Sequence, residues 1–402
     1  MKKLAIFLVF ILALCGVYPY DMTMNSKAAT KTQEEIISAM ADVEIKSKSA
    51  ILIEASTGEV IYEKNADEKL KPASVTKVMT LLLIFEALDA GDITYEDVVT
   101  ISEHAASMGG SQCFFEAGEE QSVRDMIKCI EIASGNDAAV AMAEYIAGSE
   151  SAFVEMMNER ASELGMINTN FVNACGLDDD NHYTCARDIG IMSRELIVNH
   201  PDIVNFSTIW MDYIIHKTGR GESRFDLANT NKFLNMYNGA TGLKTGYTSQ
   251  AKYCMSATAT RDGISLITVI MGADTKEIRN SEACKLLDYG FAKCDLYVDD
   301  NVMPSKYEVE VANGETDKVT GYCENTNEIV LIDKNVEGVE KKIVKYNNIK
   351  APIYKDDIIG CVQYSYEGNV IDEVFIYANE NVEKVTYKNT LFNMLGRIFM
   401  VK

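Results

Sequence analysis

The chain has 402 residues, 47% hydrophobic and 24% charged, which suits two domains with sizeable cores. Its formal net charge of -22 excludes a nucleic-acid partner, which requires basic patches, and simple electrostatic docking on anionic lipid. Any membrane contact must come from a local apolar or basic segment.

At the start, Lys2 and Lys3 precede the apolar run Leu4 to Leu14, followed by Cys15 and Gly16. A basic stretch before a short apolar core is the pattern of a secretory signal. Residues 1–16 are therefore expected to direct export and 17–44 to form a linker. Ser49 to Ala55 reads as a strand, Ser56-Thr57-Gly58 as a turn, and Glu59 to Tyr62 as the returning strand. Pro72 precedes a helix expected from Ser74 through Leu88, which stops at Ala90-Gly91. Residues 92–200 read as mostly helical, as in Ser122 to Ala133 and Asp137 to Ile146. Strand patterns return from Gly242. Tyr253 to Thr260 and Ile264 to Gly272 form a hairpin about Arg261-Asp262-Gly263, and Ala283 to Ala292 reads as a closing helix.

Two strands, many helices, then more strands imply an α+β domain over 45–294. Its antiparallel sheet joins the first and last strands, with helices flanking it and a helical subdomain inserted. From Asp295 the composition changes. Apolar and polar positions alternate, as in Tyr307-Glu308-Val309-Glu310-Val311, so a small all-β sandwich is expected over 295–381. The tail, 382–402, carries Lys384, Lys388, Arg397 and Lys402. Leu391, Phe392, Met394, Leu395, Ile398 and Phe399 recur there at helical spacing. Such a helix is too short and too charged to span a bilayer. It suits the membrane interface, the alternative being a helix docked on the protein's own core.

The ten cysteines are scattered. Most read as small core residues, with Cys175–Cys185 and Cys284–Cys294 as candidates for pairing. No CxxC or HExxH pattern occurs, so neither a metal nor a cofactor is expected.

Three short motifs carry the chemistry. In Ser74-Val75-Thr76-Lys77, residues three apart share a helix face, so the Lys77 amine can sit over the Ser74 hydroxyl. Serine needs an adjacent base to attack a carbonyl, and a lysine serves once burial or a nearby cation disfavours its charge. Ser134-Gly135-Asn136 offers a hydroxyl for proton relay and a carboxamide to orient a peptide. Lys244-Thr245-Gly246, followed by Tyr247, sets a cation beside a hydroxyl, a receptor for a substrate carboxylate. Its glycine lets the strand approach a ligand closely. Singly, each has a bland reading: a capping serine, a helix C-cap with a turn, an edge-strand turn with a solvated lysine.

Their order and setting are more specific. S-x-x-K opening a helix, S-x-N after a helix and K-T-G on a late strand form the set of penicillin-binding proteins and class A β-lactamases. Ile132 to Ala139, Gly242 to Thr248, Pro72 to Thr80, His182-Tyr183 through Arg187-Asp188 and Asn229 to Lys232 resemble the D-alanyl-D-alanine carboxypeptidases among the low-molecular-weight penicillin-binding proteins.

The resemblance implies a β-lactamase/transpeptidase-like catalytic domain with Ser74 as nucleophile, Lys77 as general base, and Ser134 with Lys244 as proton relay. Asn136 would hold the substrate backbone, and Lys244 with Thr245 its carboxylate. The N–H groups of Ser74 and Tyr247 would form the oxyanion hole. It further implies peptidoglycan stem peptides ending in D-Ala-D-Ala as substrates, β-lactams as covalent inhibitors, and a terminal helix serving as membrane anchor. Ala174-Cys175-Gly176-Leu177 departs from the Pro-His usual before that Gly-Leu, in a loop read as peripheral to the motifs. Other readings are a D,D-endopeptidase, a β-lactamase, which would need a dedicated deacylating Glu, and a non-catalytic penicillin sensor.

Overall fold

The computed structural model describes residues 43–303 and 307–387. The expected signal, nearly all of the linker and residues 388–402 of the expected terminal helix lie outside them.

β1 (Ser49–Glu54) is fully buried and pairs antiparallel with β2 (Val60–Lys64). After Pro72 comes a 3-10 turn, Ala73–Thr76, which runs into α1 (Lys77–Ala90). The single helix expected from Ser74 is thus two pieces. The tighter turn eclipses side chains three apart and so sets Lys77 over Ser74. Gly91, at φ +77°, ends α1 in the left-handed conformation that glycine adopts without a Cβ penalty.

The next stretch is less helical than expected, because β3 (Val98–Thr100) and β4 (Glu120–Ser122) pair as a hairpin around α2 (Glu103–Ala106). α3 (Val123–Glu131) starts where the Ser122 side chain accepts from the Asp125 N–H, a serine cap. α4 (Asn136–Ala147), α5 (Glu150–Glu163), α6 (Ala186–Asn199) and α7 (Val204–Ser207) follow. β5 (Met211–Thr218) and β6 (Gly221–Ala228) form a second hairpin that the sequence reading missed. Burial alternates along β5, but hydrophobicity does not follow it: His216 is buried while Met211 and Tyr213 are exposed, and β6 is exposed at most positions.

β7 (Ala240–Thr248), β8 (Lys252–Arg261) and β9 (Ile264–Ala273) make a meander, and α8 (Lys276–Lys293) closes the unit. The sheet order is β2-β1-β9-β8-β7, antiparallel throughout, with Ile51 opposite Val269. The first and last strands therefore meet, as the element order implied. One face packs on the inserted helices through Ile51, Leu82, Ile130 and Val269, and the other on α8 through Leu52, Leu266 and Leu286.

α8 passes directly into β10 (Cys294–Asp299), and a Lys293–Asp333 ion pair of 2.8 Å braces the junction. The C-terminal part contains β11 (Glu308–Ala312), β12 (Lys318–Tyr322), β13 (Asn327–Ile332), β14 (Val339–Lys345), β15 (Ile349–Lys350), β16 (Ile358–Tyr366) and β17 (Asn369–Ala378). Six of these strands form one sheet, β14-β16-β17-β12-β11-β15, while β10 and β13 form a separate ribbon. Ile329 and Leu331 of the ribbon share a core with Val309, Val362 and Ile376 of the sheet.

No disulfide joins Cys175 to Cys185 or Cys284 to Cys294. Cys185 instead caps α6, its sulfur accepting from the Asp188 N–H at 3.4 Å. Among the described residues no helix is long and apolar enough to cross a membrane.

Candidate active site

Three elements bring the motif residues together: the 3-10 turn leading into α1, the α3–α4 loop, and the second half of β7. Lys77 is fully buried, and its Nζ donates to Ser74 Oγ at 3.1 Å, to Asn136 Oδ1 at 2.6 Å and to the Cys175 carbonyl at 2.9 Å. These acceptors surround the amine on three sides and aim it at the hydroxyl. Burial pulls Lys77 down to about 7; Cys175 opposes that pull and the Lys244 charge adds to it. Near neutral pH a fraction of Lys77 is therefore the free amine that can take a proton from Ser74.

Asn136 opens α4 and is itself held, its Nδ2 donating to the Gly109 carbonyl at 2.6 Å and its N–H to the Ser111 carbonyl at 2.7 Å. Asp137 beside it accepts from the Cys113 N–H at 2.8 Å, which ties the 109–115 segment to the helix start. Ser134 is 4% exposed and sits at φ +60°, a conformation costly for a residue with a Cβ. Its Oγ has no hydrogen-bond partner among the described residues.

On β7, Lys244 is 1% exposed; burial lowers its proton affinity and the Glu131 charge opposes this. Thr245 Oγ1 lies 3.5 Å from Thr230 Oγ1. At Gly246 an added Cβ would stand 2.8 Å from the Pro72 carbonyl oxygen and 3.0 Å from the Ser74 nitrogen. The absence of a side chain there is what lets β7 lie against the turn bearing Ser74. Tyr247, at the open rim, is 56% exposed and packs on Tyr253 with ring centroids 4.4 Å apart.

The Cys175 loop is not peripheral. Its carbonyl binds Lys77, and Gly176, at φ +86°, would put a Cβ 1.9 Å from the Ala73 carbonyl oxygen, next to the nucleophile. Sequence reasoning missed the carbonyls of Gly109 and Cys175 because a backbone oxygen leaves no side-chain signature. It also missed Glu131, whose one sequence signal is a charge inside an otherwise apolar helix end, Cys129 to Ile132. Among the described residues no cluster of His, Cys, Asp or Glu is placed to hold a metal ion.

Residues 30–275 match the family model described as D-alanyl-D-alanine carboxypeptidase. Residues 291–384 match the one described as penicillin-binding protein 5, C-terminal domain. The chain is 42% identical over 354 residues to the D-alanyl-D-alanine carboxypeptidase DacF of Bacillus subtilis, covering 87% of this chain and 90% of that protein. Among solved structures it resembles penicillin binding protein 5 from Haemophilus influenzae, with TM-score 0.69 and 30% identity over 85% of this chain and 98% of that one. It also resembles penicillin-binding protein D2 from Listeria monocytogenes in its ampicillin-bound form, with TM-score 0.52 and 30% identity over 62% of this chain and 99% of that one.

Proposed function

The chain belongs to the D-alanyl-D-alanine carboxypeptidase family, serine hydrolases of peptidoglycan peptides, and on that premise we propose that Ser74 is the residue that becomes acylated. The observation that carries this reading is the 3.1 Å contact between the buried Lys77 amine and the Ser74 hydroxyl. Lys77, in its neutral form, takes the Ser74 proton as Oγ attacks the carbonyl of the penultimate D-alanine. The N–H groups of Ser74 and Tyr247 receive the developing oxyanion. As the peptide C–N bond breaks, Ser134, backed by Lys244, passes a proton to the departing amine, and free D-alanine leaves. Asn136 holds the substrate backbone, while Lys244 and Thr245 receive the C-terminal carboxylate. Water then cleaves the ester and restores Ser74. β-Lactams enter the same route as substrate mimics.

The basic, apolar leader and the basic tail with one apolar face support an enzyme that works outside the cell membrane and is held at its outer surface. The extent of the catalytic unit, 45–294, is supported by the two cores that flank one sheet, and 295–381 by a core of its own.

The test is incubation with a muropeptide bearing a D-Ala-D-Ala stem, followed by mass analysis, alongside labelling by a fluorescent penicillin. Loss of one alanine and labelling of Ser74 are expected, both abolished in Ser74→Ala. Labelling that persists in Ser74→Ala would discard the nucleophile, and cleavage of cross-linked dimers in place of alanine loss would make the enzyme an endopeptidase.

A further inference from the structure

One buried carboxylate plays no part in the steps above. Glu131 closes α3, three residues before Ser134, and is 1% exposed. Neither of its carboxylate oxygens accepts a hydrogen bond from the described residues. A carboxylate so placed is costly unless a cation faces it.

The backbone carries this helix end to β7. The Ile132 carbonyl accepts from the Thr230 N–H at 3.1 Å, and the Thr230 hydroxyl lies 3.5 Å from that of Thr245, beside Lys244. Lys244 is the charge that acts on Glu131, and Glu131 is the charge that counters burial at Lys244.

Other charges around α3 are engaged elsewhere. Lys128 pairs with Asp125 on α3 and with Asp212 of β5, each at 3.1 Å, and Arg124 with Glu96 at 3.3 Å. Asp137 of α4 accepts from Cys113, Lys77 of α1 is held by its three acceptors, and Glu120 of β4 is exposed. α7 has no titratable side chain.

We propose that Glu131 is a positioning residue whose carboxylate holds Lys244 in the protonated form that receives the substrate's C-terminal carboxylate. The inference rests on the reading of Lys244 as that receptor. Burial pushes the Glu131 carboxyl up to about 7, against the opposing pull of Lys244, so its charge is present mainly on the alkaline side of neutrality. Burial lowers the proton affinity of Lys244, and the Glu131 charge is what opposes that loss. Removing the carboxylate moves proton loss from Lys244 toward acid, and with it the alkaline limb of kcat/KM.

The test measures kcat and KM from about pH 6 to about pH 9 on a diacylated tripeptide ending in D-Ala-D-Ala. Wild type, Glu131→Gln, Glu131→Asp and Lys244→Met are compared, with a thermal melt of each. Glu131→Gln is expected to match wild type within about twofold at the acid end and to fall about tenfold or more below it at the alkaline end, through KM. Glu131→Asp recovers part of the difference. A Glu131→Gln profile superimposed on wild type, or lowered equally at every pH, overturns the proposal. If Glu131→Gln melts too early to assay, Glu131→Asp decides, since a withdrawn charge must move the limb the same way by less. Lys244→Met with unchanged KM sinks the receptor reading beneath it; raised KM in Lys244→Met with an unmoved Glu131→Gln limb sinks this inference alone.

Discussion

The Lys77 amine stands closer to the Asn136 carboxamide oxygen, at 2.6 Å, than to the Ser74 hydroxyl, at 3.1 Å. Beyond the substrate contact proposed for it, Asn136 therefore fixes, with the Cys175 carbonyl, where the Lys77 amine points.

Asn136→Asp tests that role. A carboxylate at this distance favours the ammonium form and raises Lys77 by roughly 1–3 pH units from its present value of about 7. With the neutral amine as the working base, the acid limb of kcat/KM moves to higher pH, and activity at neutrality falls by about fivefold for a one-unit rise and about five-hundredfold for three. A pH profile of D-alanine release reads this directly, and an unmoved limb refutes it.

Ser134 separates chemistry from stability. Its hydroxyl is buried without a hydrogen-bond partner among the described residues, and its backbone is in a conformation that glycine adopts freely. Ser134→Gly is expected to leave the free energy of unfolding within about 1 kcal/mol of wild type, relief of strain offsetting the added unfolded-state entropy. D-alanine release should fall by about a hundredfold or more, as for loss of a proton-transfer group. Denaturant melts and steady-state rates measured together decide; a large loss of stability would make the serine structural.

Gly176→Ala should be severe. The added methyl meets the Ala73 carbonyl oxygen and must adopt a left-handed backbone. A destabilisation of about 3 kcal/mol and a large loss of penicillin labelling are expected, because relief requires moving the turn that holds Ser74. Normal labelling in a folded variant would show the loop to be independent of the nucleophile.

Cutting the chain after Glu383 removes the basic tail and leaves every strand of the C-terminal sheet intact. Activity on a small diacylated D-Ala-D-Ala peptide should persist while the protein leaves the membrane fraction. A truncated protein that stays membrane-bound shifts the anchor to the N-terminus.

Much of this was legible in the residues. The β1–β2 and β8–β9 hairpins show as apolar runs about turn residues, α1 as a long apolar run between Pro72 and Gly91, and the three motifs through side chains with few bland uses together. The β5–β6 hairpin escaped because hydrophobicity does not track burial there: the buried face of β5 includes His216, its open face carries Met211 and Tyr213, and β6 is mostly exposed. The Cys175 loop was misjudged because its contribution is a carbonyl, held in place by a glycine whose necessity appears only once Ala73 is beside it. Glu131 escaped because its one signal, a lone charge in the apolar stretch Cys129 to Ile132, does not by itself tell a helix's wet face from a buried one.

The strand pairing at the centre of the sheet has a consequence for biogenesis. Thr268 on β9 donates its hydroxyl proton to the Ile51 carbonyl on β1, across a separation of 217 residues. Contacts so distant along the chain form late and slowly, and only after the intervening polypeptide exists. Lys244 comes from that same late block of strands, so a growing chain that already displays Ser74 and Lys77 still lacks a functional cleft. The enzyme stays inert until almost the whole catalytic segment has been made and has closed upon its own beginning.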